Sequence, residues 1–213
     1  MFNFDWNTLL YRVVAFVIAF SLHEWAHAFV AYRLGDDTAK NQGRLTLNPL
    51  SHVDPFGLLM ILFGPFGWAR PVPVNGFNLR GNRRLGMVLV AAAGPLINLV
   101  LAMLFFKVGT LLFSSTVMLT WPKWAVDLTS NMIQWCFDIN VALFVFNLLP
   151  ITPLDGSKIL RFILPRRFDS FFDKVEPYGT FVLLLLIFLP SLGGPILYYP
   201  YYITRQLINQ LLL

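Results

Sequence analysis

Three residues near the start of the chain combine types and spacing that suit metal chemistry: His23, Glu24 and His27, in the run SLHEWAHAFVA at 21–31. On a helix, positions four apart share a face. The two imidazoles therefore point the same way, as two ligands of one Zn²⁺ ion must at about 2.0–2.1 Å. Glu24 stands beside the first histidine and three residues before the second, placed to reach a zinc-held water without ligating. This is the H-E-x-x-H arrangement of zinc peptidases, with the glutamate as general base. The plainer alternative is a pair of histidines satisfied by polar neighbours. Against it, the chain holds only three histidines, and ionisable groups in an apolar helix are costly unless they serve a purpose.

A catalytic zinc keeps three protein ligands and an open position, so a third ligand is needed at matching depth. The carboxylates in apolar surroundings are Asp138 and Asp155. An unbroken helix would separate them by roughly 25 Å, so they cannot serve one depth. Asp155 lies toward the basic end of its segment, as the histidines do, and is the choice. Its setting, NLLPITPLDG at 147–156, contains Pro150 and Pro153, which break a helix by removing backbone donors. Carbonyls freed at membrane depth are tolerated only inside protein or beside a water-filled cavity, and a hydrolase needs water. Leu-Asp-Gly alone would equally suit an ordinary helix end.

These residues need a scaffold, and composition says which kind. Of 213 residues, 57% are hydrophobic and 13% charged, whereas soluble domains carry about 25% charged residues. An all-α, polytopic membrane protein is expected, forming one membrane-embedded domain over 1–213. A lone cysteine, Cys136, excludes an internal disulfide framework and a cysteine-based zinc site. The first apolar segment lacks a basic start and a small-residue cleavage site, so it is expected to remain in the mature chain. Helices are expected near 6–33, 85–113, 132–150 (running past 155) and 178–190, with a last apolar stretch at 194–213. The 54–67 run is short and broken by glycine and proline, which suggests a re-entrant half-span. Its flanks, 38–49 and 67–78, suggest a small membrane-associated β element within a 36–80 region. Pro71 and Pro73 would confine the second strand to an edge.

Orientation follows from the cations. Segments 33–84 and 155–177 hold twelve, namely Arg33, Lys40, Arg44, Arg70, Arg80, Arg83, Arg84, Lys158, Arg161, Arg166, Arg167 and Lys174. The 107–131 connection holds two, Lys107 and Lys123. The positive-inside rule then puts the N-terminus outside and the active site toward the cytoplasmic side of the cell membrane. The net charge of +5 is scattered between apolar spans, so nucleic acid is not an expected partner. His52, in NPLSHVDPFG, reads first as a solvated or hydrogen-bonded loop histidine; the sharper reading has it, or Asp54, gating the site mouth. LYYPYYITR at 197–205 suits an interfacial aromatic belt.

HEWAH in the first helix, AGPLIN (93–98) in the next and NLLPITPLDG in the third resemble the site-2 protease family of intramembrane zinc metalloproteases. GWARPVPVN resembles that family's membrane-associated β element. The likeness spans about 6–165 and is greatest to short bacterial-type members without PDZ or CBS domains. It implies a three-helix catalytic core with extra C-terminal helices at 178–213, and one catalytic Zn²⁺ held by His23, His27 and Asp155. It further implies Glu24 as the base, and Asn147 and Asn98 as cavity-lining groups for substrate or oxyanion. Expected partners are transmembrane protein or peptide substrates and the lipid bilayer, in regulated intramembrane proteolysis. The rival reading is a catalytically silent zinc-binding membrane scaffold or chaperone. Glu24 discriminates, because a structural site needs no base and takes four protein ligands. Sequence fixes neither the substrate nor the oligomeric state.

Overall fold

The computed structural model describes residues 6–63 and 67–212. Among the described residues eight α-helices follow in chain order: α1 (Trp6–Arg33), α2 (Thr38–Asn41), α3 (Pro55–Phe63), α4 (Arg83–Ser114), α5 (Lys123–Asn147), α6 (Asp155–Ile163), α7 (Asp169–Phe188) and α8 (Pro190–Leu212). Two are long and apolar enough to cross a membrane, Thr8–Arg33 and Arg83–Ser114. At 1.5 Å per residue these reach roughly 39 and 48 Å, more than the ~30 Å hydrocarbon core requires. The C-terminal segments 166–188 and 193–212 add a third span only if the bent pair counts as one. The molecule is a helical membrane protein.

The sequence-based expectation of a β element is not met. Among the described residues no strand forms; Val53 and Ala69 make one isolated antiparallel bridge. Residues 38–41 are helical and Pro49–Ser51 form a 3₁₀ turn. The reason is visible in how the 67–78 backbone spends its hydrogen-bonding groups. The Arg70 and Pro71 carbonyls accept from the Arg44 guanidinium, the Val72 N–H donates to Glu24, and the Asn75 N–H donates to Asp36. Pro71 and Pro73 have no N–H to offer. Side chains have taken what a ladder would use. The 54–67 half-span is realised as the nine-residue α3, too short to cross; residues 64–66 of that reading lie outside the described residues.

The third helix of the expected core also differs. It begins at Lys123, ends at Asn147 and does not run on past 155. With Asp127, Asn131, Gln134, Asp138, Asn140 and Asn147 along its length, it falls short of the apolarity of α1 and α4. It nevertheless packs against both of them, and its polar groups find protein partners. Tyr201 Oη donates to Asp138 Oδ1 at 2.7 Å, Gln134 Nε2 donates to Oδ2 at 2.7 Å, and the Arg205 guanidinium stands 3.4 Å away. Those contacts fasten α8 to α5, beside a core cluster of Ala102, Phe137, Val141 and Ile208. Helix α8 thus adds to the packing around the bundle and α7 packs on α8; α7 starts at Asp169, earlier than the apolar run suggests.

At the opposite end of α4, the Arg84 guanidinium donates to the carbonyls of Arg161, Phe162 and Leu164 and pairs with Asp169 at 2.9 Å. This ties the start of α4 to the end of α6 and the start of α7. Helix α6 is thereby held against α4 with its first residue, Asp155, buried.

Candidate metal centre

His23 and His27 lie one turn apart on the inner face of α1, and both are buried. Asp155 reaches the same spot because the chain breaks after Asn147 and restarts as α6. Gly156 is required there: a Cβ would collide with the Leu148 carbonyl. Asp155 Oδ2 lies 3.2 Å from His23 Nε2 and 3.0 Å from His27 Nε2, and the two Nε2 atoms are 3.0 Å apart.

The outer contacts decide what those three atoms are. His27 Nδ1 is 2.7 Å from the Val90 carbonyl, which can only accept, so Nδ1 carries the proton. His23 Nδ1 is 2.6 Å from Asn98 Oδ1. The Asn98 amide donates to the Ala19 carbonyl at 3.3 Å and to Asn140 Oδ1 at 2.9 Å, while Asn140 donates to the Cys136 carbonyl. That chain fixes Oδ1 toward His23, whose Nδ1 must donate. As neutral imidazoles both then present Nε2 lone pairs to a carboxylate oxygen, a set of three donor atoms within 3.2 Å that a metal cation would hold together. Tetrahedral coordination at 2.0–2.1 Å requires ligand atoms about 3.3 Å apart, close to the spacing found. His23, His27 and Asp155 are also the sole His/Cys/Asp/Glu group with metal-holding geometry among the described residues. A third feature agrees: a Cβ at position 94 would strike His27 Nε2 and the Nε2 and Cε1 of His23. Gly94 leaves the imidazoles their room. The donor set suits zinc.

Glu24, buried on the same helix, stands outside this group, and its Oε2 accepts the Val72 N–H at 2.8 Å. Asp155 Oδ1 pairs with Lys158 at 3.1 Å, leaving Oδ2 for the metal. Asn98 sits behind His23 with both amide hydrogens committed. Asn147, at the last position of α5, donates to the Leu143 carbonyl at 3.1 Å on its own helix. His52 is fully buried, with Nε2 2.8 Å from the Thr46 carbonyl, and its own carbonyl accepts the Arg70 N–H. It belongs to the support of the 67–78 segment, not to the ligand cluster. Sequence reasoning passed over Gly94, Asn140, Asp36 and Arg44. Two signals were there: Gly94 is four residues before Asn98, and Asn140 is seven before Asn147, each spacing placing the pair on one helix face.

A buried imidazole–imidazole–carboxylate set beside an unligated glutamate, carried by apolar helices, defines a membrane metallohydrolase. Comparison with known proteins agrees: residues 11–190 match the model of peptidase family M50, and the chain belongs to that family. It is 43% identical over 188 residues to the "Putative zinc metalloprotease YwhC" of Bacillus subtilis (strain 168), covering 88% of this chain and 84% of that one. It is 30% identical to the "Putative zinc metalloprotease Rip2" of Mycobacterium tuberculosis (strain ATCC 25618 / H37Rv), covering 85% and 68%. No solved structure gives a significant match. The protein is a membrane zinc metalloprotease.

Proposed function

We propose that this metalloprotease is an endopeptidase that cuts membrane proteins in or near their transmembrane segments, as in regulated intramembrane proteolysis. The observation that carries this reading is the place of Glu24 and the ligand pair. They lie six to ten residues, roughly 9–15 Å, from the Arg33 end of an apolar span, where only a chain inside or at the edge of the bilayer reaches them. His23, His27 and Asp155 would hold the zinc ion, which would supply Lewis acidity to activate water near neutral pH and polarise a carbonyl. Glu24 accepts the proton of the attacking water and returns it to the leaving amine. Asn98 and the Val90 carbonyl hold the imidazoles in the required tautomer. Asn147, buried where α5 ends, is the remaining side-chain amide assigned to the substrate carbonyl, and His52 acts on the site mouth only through the segment it supports.

The active site is assigned to the cytoplasmic side. In support, the α1–α4 connection and the α6–α7 region lie at one end of the bundle, joined through Arg84, and carry most of the cations. The test is a set of purified single-span substrates, incubated with the zinc-loaded protein and mapped by mass spectrometry. Cuts within or next to the span are expected. Cleavage confined to soluble peptides would contradict the reading.

A further inference from the structure

The segment Arg70–Asn75 meets Glu24 through a single backbone donor. In Arg70-Pro71-Val72-Pro73 the prolines fix φ and remove their own donors, so Val72 carries the one N–H between them, and it goes to Glu24 Oε2 at 2.8 Å. Either side of that contact is held by a buried charged side chain from a different part of the loop. Arg44, 8% exposed, donates to the Arg70 carbonyl at 2.5 Å and the Pro71 carbonyl at 3.3 Å. Asp36, fully buried, accepts the Asn75 N–H at 2.7 Å and the Asn78 amide at 3.0 Å, and also bonds Thr38. Arg44 makes no ion pair among the described residues, an expensive arrangement for a buried guanidinium unless the backbone it binds must stay put. Burial lowers its pKa, as does the Arg70 charge, and the Glu24 carboxylate opposes that shift, so the two groups feel each other.

We propose that Arg44 and Asp36 are positioning residues: by clamping Arg70–Asn75 they aim the Val72 N–H at Glu24 and fix the carboxylate for its work as the base. One oxygen of Glu24 is then held, and Oε1, without a hydrogen bond among the described residues, is left to meet the water. This rests on Glu24 being the base. The clamp acts on the rate of the chemical step more than on zinc binding, since neither residue touches a ligand.

The test uses full-length protein in detergent and compares wild type with Arg44→Ala, Arg44→Lys, Val72→Pro and Glu24→Gln. Val72→Pro deletes the N–H while leaving Arg44 and Asp36 in place. We expect Arg44→Ala and Val72→Pro to keep one zinc per chain and lose at least tenfold in kcat on a single-span substrate, with KM changed less than threefold. Arg44→Lys should recover part of that loss. Hydrogen exchange on the metal-free protein should show the Val72 amide exchanging at least tenfold faster in Arg44→Ala. The proposal is overturned if Arg44→Ala and Val72→Pro both keep kcat within twofold of wild type, if kcat falls only in proportion to zinc content, or if Val72 exchange is unchanged. Full activity in Glu24→Gln would instead overturn the reading of Glu24 as base; its silence, with an active Arg44→Ala, sinks the clamp alone.

Discussion

Asn98 and the Val90 carbonyl decide which nitrogen of each histidine is free, and so whether the pair can bind a metal at all. Partners of this kind are worth roughly 10–100-fold in metal affinity or activity. Asn98→Ala should weaken zinc by that factor in a chelator competition, with the fold retained. Gly94→Ala should do worse, because its methyl group enters the space of both imidazoles; zinc content near zero in a protein with wild-type helicity is the expected result. His23, Glu24 and His27 were legible as a candidate site because H-E-x-x-H is a local pattern whose two histidines a single helix presents on one face. The direction in which Asn98 points was not. The residue type suits an oxyanion contact as well as a ligand support, and the partners at His23, Ala19 and Asn140 favour the second.

At the level of elements, the helices were readable from apolar runs, but the 67–78 segment was misread as a strand. Its alternation and prolines suit an extended backbone. What sequence cannot show is that Arg44, Glu24 and Asp36, distant in the chain, take its hydrogen-bonding groups in place of a neighbouring strand. The break between α5 and α6 was half legible: Pro150 and Pro153 announced an interruption, while the restart at Asp155 depends on the close approach of Gly156 to Leu148. Asp36 gives this region a pH signature. Burial pushes its carboxyl pKa up, but hydrogen bonds from the Thr38 side chain, the Asn75 N–H and Asn78 outweigh that and hold it below the ordinary value of 3.8. A depressed folded pKa stabilises fully above the ordinary value and is lost as pH falls through the folded one. Asp36→Asn should therefore lower Tm at neutral pH, and the gap from wild type should narrow only in acid, below 3.8. A gap unchanged by acid would rule out the ionised carboxylate as its source.

For the whole molecule, the cation distribution and the fold make one topological claim. The 116–120 turn between α4 and α5 lies at the opposite end from the Arg84 junction. Cys136 is buried, so it leaves a low background for thiol labelling. A membrane-impermeant maleimide on intact cells should modify Leu119→Cys and leave Arg166→Cys untouched until the membrane is opened. The reverse pattern would invert the orientation. Membrane residence was plain from composition, yet the number of crossings was not. Helix α5 turns Asn140 to Asn98 of α4 and Asp138 to Tyr201 and Arg205 of α8 while Asp127, Asn131 and Gln134 stay exposed, and hydropathy along one chain does not register partners supplied by another helix.

The most direct measurement pairs zinc content with cleavage in wild type and Glu24→Gln, purified side by side and given the same single-span substrate. Equal zinc, near one per chain, with cutting by the wild type alone is the predicted result. A Glu24→Gln protein that cuts as fast as wild type, or a wild type that cuts without zinc, would contradict it.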